Sequence, residues 1–133
     1  MATRIAVNAR NQGVGAVGAL LNGGTLEIRT GSQPASPASA DSGTLLVSIP
    51  LANPAFGSPS NGQVTLAGVP RQAQAQAAGT AGHARFKTSG GQVVLDVAVS
   101  DPNGAGELKL DNVNIAEGQT VTISGFTLSQ PQE

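Results

Sequence analysis

The stretch Gln92–Ser100, QVVLDVAVS, alternates as a pleated strand requires: Val93, Leu95, Val97 and Val99 fall on one face, and Val94, Asp96, Ala98 and Ser100 on the other. Such a strand needs partners on its edges and a second layer over its apolar face. Upstream, the basic-and-apolar alternation of Gly82–Thr88 sets Ala84, Phe86 and Thr88 against His83, Arg85 and Lys87, and Ser89, Gly90 and Gly91 turn that segment into the opening strand. Arg85 and Lys87 are thereby expected on a solvated outer face, where they could also meet an acidic patch on a partner.

Other segments carry the same period. Thr25–Thr30, TLEIRT, sets Leu26 and Ile28 against Glu27 and Arg29, which predicts a strand with one solvated face. Thr44–Leu51 places Leu45, Val47, Ile49 and Leu51 together, with Pro50 marking an edge or the end of pairing. Gln63–Val69 and Arg71–Ala77 read as short strands around Pro70, the second a lightly packed edge of alternating Gln and Ala. Glu107–Leu110 forms a short strand with Leu108 and Leu110 inward, followed by a loop over 111–118 tied down by Val113 and Ile115. In Thr120–Leu128, Val121 and Ile123 have one parity and Phe126 and Leu128 the other, so a bulge at Gly125 is expected to return all four to the core.

Between these lie two loops of turn chemistry. GSQPASPASADSG, residues 31 to 43, is expected to be mobile or an extended contact arm, and ANPAFGSPSNGQ has Phe56 as its one large apolar anchor. Residues 4 to 22 read as a helix with Thr3 as N-cap and Gly23 and Gly24 as the stop. Internal Gly13, Gly15 and Gly18 each cost up to ~1 kcal/mol relative to Ala, so this helix must lean on packing through a smooth Ala/Gly face. The expected architecture is mainly β, an antiparallel sandwich or jelly-roll-like domain over 25–133 with one short N-terminal helix or arm over 1–24.

Composition narrows function by exclusion. The 133 residues give room for a single domain. There is no Cys, Trp or Tyr, and Phe56, Phe86 and Phe126 are the only aromatics, which argues against disulfides, thiolate metal sites and stacking platforms for sugars or single-stranded nucleic acid. Charged residues make up 11% of the chain against roughly 25% in an ordinary domain, and the net charge of -1 offers no field for phosphate backbones or anionic lipid. A surface so sparsely charged is suited to meeting a protein neighbour. No run reaches the ~18 apolar residues of a membrane span. Ile5–Leu21 superficially resembles a signal peptide, but Asn8, Arg10, Asn11 and Gln12 interrupt it and no A-x-A site follows, so the chain is read as cytosolically made and unprocessed.

Candidate chemistry is thin. His83 is the single histidine, around which any triad or His-based metal site would have to be built; a surface or interface position is expected for it instead. Asp101, Asn103 and Glu107 in DPNGAGE faintly resemble a calcium loop, but the spacing and the Asn-Gly pair fit a hairpin turn. Asp111 with Glu117 reads as a solvated loop. There is no phosphate-cradling GxxxxGK and no acid/base pair of carboxylates. No catalytic, cofactor-binding or metal-binding residue is expected, and no enzymatic activity.

The ordered elements NGG (22–24), TGSQPA (30–35), LANPAFG (51–57), AGTAG (78–82) and LDNVNIAEGQTVTISGFTLSQP (110–131) resemble, over nearly the whole chain, a family of small virion structural proteins of tailed bacteriophages encoded near the head genes. Members of that family commonly carry an aromatic residue where His83 and Ala84 stand, so a locally thinner core is expected. The resemblance implies a non-enzymatic capsid decoration, or cement, protein: a homotrimer that clamps neighbouring major capsid subunits on the outer surface of the virion, binding the capsid protein and itself but no nucleic acid, membrane or small-molecule substrate. A tail or baseplate component, or a host-surface binding module, are the alternatives.

Overall fold

The computed structural model describes residues 6–36, 38–104, 106, 108–110, 112–123 and 125–129. Among the described residues one helix, α1 (Val7–Leu20), precedes ten strands: β1 (Thr25–Thr30), β2 (Leu45–Pro50), β3 (Gln63–Thr65), β4 (Arg71–Gln74), β5 (Gly79–Lys87), β6 (Val93–Ser100), β7 (Leu108–Lys109), β8 (Asn114–Ile115), β9 (Thr120–Ile123) and β10 (Thr127–Ser129). The result is mainly β and sandwich-like, with one short helix, as the alternation predicts.

A curled sheet in the order β2-β1-β5-β6-β7, with β8 added to the start of β5, forms the frame. Its register puts Ile49, Leu26, Phe86 and Leu95 in one row across four strands, and Val47, Ile28, Ala84 and Val97 in the next. These rows are the apolar face. Two ribbons, β3 with β10 and β4 with β9, close over it and contribute Val64, Val121 and Ile123 to a single core. Phe126 joins the layers: its ring centroid is 4.9 Å from that of Phe86 on β5 and 6.3 Å from that of Phe56. On β6 itself Val97 and Val99 are buried, while Val93 and Leu95 are partly covered.

Several sequence expectations change. The helix begins at Val7 after Ala6, which makes no side-chain cap; Thr3 lies outside the described residues. Its small face does allow close approach. A Cβ on Gly18 would stand 3.3 Å from Phe56 Cδ1, and one on Gly15 3.0 Å from Pro59 Cγ. Val14 and Leu21 are buried beneath it, while Asn11 Oδ1 accepts from the Gly62 amide at 2.7 Å and Asn22 Oδ1 from the Ala55 amide at 2.9 Å. The helix is thus tied to the 52–62 loop.

The change of phase in 120–128 is not a bulge. The chain leaves one ribbon and enters another: β9 pairs with β4, β10 with β3, and Gly125 sits exposed between them. Val121, Ile123 and Phe126 all reach the core because the segment switches sheets, a standard way to turn a sandwich corner. Likewise the segment after Ser100 is no hairpin. Strands β6 and β7 pair in parallel, with Val99 opposite Leu108; Leu108 and Leu110 are buried as expected.

Candidate functional site: a charge cluster beneath a strap

The opposite face of the main sheet carries the chain's polar chemistry, and strand alternation alone places it there. Register sets Glu27 on β1, Arg85 on β5 and Asp96 on β6 directly across from one another, with Arg29 opposite His83 in the adjacent row. This face is not solvated. The described residues of 31 to 43, the loop joining β1 to β2, fold back over it as a strap, with Ser36 and Asp41 against the sheet.

The base of the strap is pinned where the hairpin ends. The Thr30 amide donates to Thr44 O at 3.1 Å and the Thr44 amide to Thr30 Oγ1 at 2.9 Å. Gly82 allows the strap's first residue to lie flat on β5, since a Cβ there would stand 2.1 Å from Gly31 O. Next to it, His83 Nδ1 is 3.1 Å from Gly31 O; a carbonyl can only accept, so Nδ1 carries the proton. His83 is fully buried, and its Nε2 finds no hydrogen-bonding partner among the described residues. The expectation of a surface histidine is therefore corrected. A nine-residue strand whose middle is covered on both faces hides polar and apolar side chains alike, and His83 on the strap side and Ala84 on the core side are both fully buried.

Arg85 is corrected in the same way: it is fully buried rather than solvated. Its Nε donates to Asp96 Oδ1 at 2.7 Å and its Nη2 to Asp96 Oδ2 at 3.2 Å, a two-pronged pair. The other guanidinium nitrogens turn to the strap, with Nη1 donating to Asp41 Oδ1 at 2.8 Å and Nη2 to Ser36 O at 3.3 Å. Lys87 Nζ bridges Glu27 Oε1 at 2.9 Å and Asp41 Oδ2 at 3.0 Å. Arg29 Nη2 bridges the same two carboxylates, at 3.0 and 3.2 Å. Glu27, Arg29 and Lys87 keep only 14%, 11% and 12% of their side-chain surface.

Six ionic groups thus close into one network: cations at 29, 85 and 87, carboxylates at 27, 41 and 96. The balance is zero. It takes three of the chain's seven Lys and Arg and three of its eight Asp and Glu, which leaves an already charge-poor chain with still less charge to show. Asp41 responds most. Hydrogen bonds from Arg85 and then Lys87 outweigh burial and hold its carboxyl at about 2, down from 3.8. Asp96, then Asp41, raises the pKa of Arg85 against the opposing effect of burial. Burial works against the charge on Lys87, but the hydrogen bonds to Glu27 and Asp41 win and its pKa is raised.

The other sequence candidates among the described residues lie apart from this cluster. At the end of β6, Asp101 Oδ1 accepts from the Asn103 amide at 3.0 Å and Asp101 O from the Gly104 amide at 3.0 Å, which makes a local turn. Lys109 Nζ closes it onto Gly104 O. Glu107 and Asp111 lie outside the described residues, and Glu117 is exposed. No group of three His, Cys, Asp or Glu able to hold a metal occurs among the described residues, nor is any helix there long and apolar enough to cross a membrane.

Sequence reasoning placed Glu27 with Arg29 on the polar face of one strand and Arg85 with Lys87 on that of another, but missed their pairing, Asp41 and the closure of the strap. The available signal was count: Asp41 is the sole acidic residue between Glu27 and Asp96, in a segment otherwise free of charge between Arg29 and Arg71. Comparison with protein-family models, with curated proteins and with solved structures finds no match.

Proposed function

We propose that this chain is a non-enzymatic structural protein of a tailed-phage virion, most specifically a decoration protein that binds the outer capsid surface as a homotrimer and clamps neighbouring major capsid subunits. The observation that carries this reading is the disposition of charge. The polar chemistry that could serve catalysis is locked into a neutral network, with Arg85 fully buried and Asp96 only 3% exposed at its side chain. Outside the network, one exposed face of α1 carries no charge. Ala9, Gln12, Ala16, Ala19 and Leu20 form the outer side of α1, and Leu20 is 58% exposed. Surfaces of that composition shed little hydration on association and suit lattice contacts made in many copies.

The resemblance of the TGSQPA, LANPAFG and AGTAG elements to phage virion proteins supplies the partner, and mass action supplies the benefit. A protein that binds only the assembled shell stabilises it over its parts. The test is to add the purified chain to phage heads assembled without it. The proposal expects saturable binding, in threes, and a higher temperature of shell disruption. Failure to bind heads, together with binding to isolated tails, would replace it with the tail or baseplate reading.

A further inference from the structure

The Asp41 position has the makings of a binding site in its own right. Both carboxylate oxygens are engaged by cations from the sheet beneath: Oδ1 by Arg85 Nη1, Oδ2 by Arg29 Nη2 and Lys87 Nζ. These three cations sit on β1 and β5, and their other carboxylate partners among the described residues, Glu27 and Asp96, belong to the sheet as well. With the strap lifted, the sheet keeps three positive groups and two negative ones. The surplus of one positive charge is geometrically arranged for a single carboxylate, so the seat is built into the sheet and the strap is its occupant.

No described side chain of residues 31 to 43 belongs to the buried apolar core; beyond its pinned base, the contacts of the strap with the sheet include the Asp41 carboxylate and Ser36 O on Arg85. The seat is also reachable. A hollow of about 560 Å³ opens beside it, bordered by Ala40 and Asp41 of the strap, floored by Arg85 and Lys87, and closed by Gln92 and Val93 at the start of β6. The Asp41 side chain remains 38% exposed.

From this geometry we infer that the Arg29–Arg85–Lys87 seat is a carboxylate-binding site masked in cis, one that takes an aspartate or glutamate side chain of a partner protein in place of Asp41 and frees the strap when it does. The cis occupant acts at a high effective concentration, because Asp41 lies close to the pinned Thr44. A lone small carboxylate therefore loses to it. A protein partner can win, since its acidic side chain arrives with the rest of an interface behind it. This inference does not depend on the capsid reading, because the seat is a property of the sheet whichever protein supplies the acid.

The experiment uses acetate, a side-chain carboxylate without its backbone, titrated into the full-length chain and into its Asp41→Ala variant while the Arg85 and Lys87 resonances are followed by NMR. The Asp41→Ala chain is expected to give saturable shifts at both residues, and the natural chain to respond about fivefold more weakly over the same range. Chloride at equal ionic strength should reproduce neither effect. Asp41→Ser, which retains a small polar residue, replaces Asp41→Ala if the latter does not fold. Adding Lys87→Met should weaken acetate binding by about tenfold, the loss of one charge-assisted bond. Equal responses of the variant and natural chains, or shifts matched by chloride, would overturn the inference.

Discussion

Arg85 Nε stands 2.7 Å from Asp96 Oδ1, and the two residues face each other in register across neighbouring strands in the middle of the sheet. Each is the other's principal compensation for burial. Removing Arg85 takes from the buried Asp96 carboxylate its two-pronged partner, and removing Asp96 leaves Arg85 with Asp41 as its remaining carboxylate among the described residues; that loss sets what substitution will do.

Asp96→Ala is accordingly expected to cost about 3–5 kcal/mol, whereas Arg85→Met combined with Asp96→Leu should recover most of that loss, because an apolar pair carries no desolvation penalty. Urea unfolding of the three chains is the check. A double variant no more stable than the single one would mean that the network, and not the isolated pair, carries the energy.

Acid should release the strap through Asp41. Its folded-state pKa, about 2, lies below the usual 3.8, so its contribution is complete above about pH 4 and is lost as pH falls toward about 2. Because more than a third of the side chain is exposed, the contribution is no more than about 1 kcal/mol. The difference in Tm between the natural chain and Asp41→Asn should be constant down to about pH 5 and vanish near about pH 2; a difference that persists at the lower pH would assign the effect to shape alone.

The same cluster explains what could be seen in the sequence and what could not. Strand alternation is local, so the faces of 25–30 and 82–88 were legible from period alone, and Leu26, Ile28 and Phe86 are indeed in the core. Whether the far face is wet depends on a covering segment, and the Pro/Ser/Ala strap has no periodicity to betray where it lies. Hence His83 and Arg85 looked exposed and are fully buried. The 120–128 segment teaches a related point. Its parity change was visible, but a bulge and a change of sheet give the same parity, and only the partners β4 and β3 distinguish them.

Phe126 follows that change of sheet and packs between Phe56 and Phe86. With no Trp or Tyr to take over, Phe126→Ala should destabilise the chain by about 3–5 kcal/mol, measured by denaturant titration. A loss under about 1 kcal/mol would mean that the core joins its layers elsewhere.

Gly82→Ala should act on the strap base, because its Cβ would stand 2.1 Å from Gly31 O, a backbone atom that cannot swing away. A cost of about 3 kcal/mol is expected, near the upper end of overpacking effects. Amide exchange should rise most at Thr30, Ala81 and Thr44. A uniform rise would point to global unfolding and not to a lifted strap.

The proposed role itself is tested most directly by where the chain sits in the intact particle, seen in a cryo-EM map of head and tail together. The decoration reading predicts trimeric density over the outer face of the capsid lattice, in which this fold can be placed with α1 or the loops 31–43 and 52–62 toward the shell or between protomers. Density confined to a few copies in the tail, with a bare capsid surface, would contradict it.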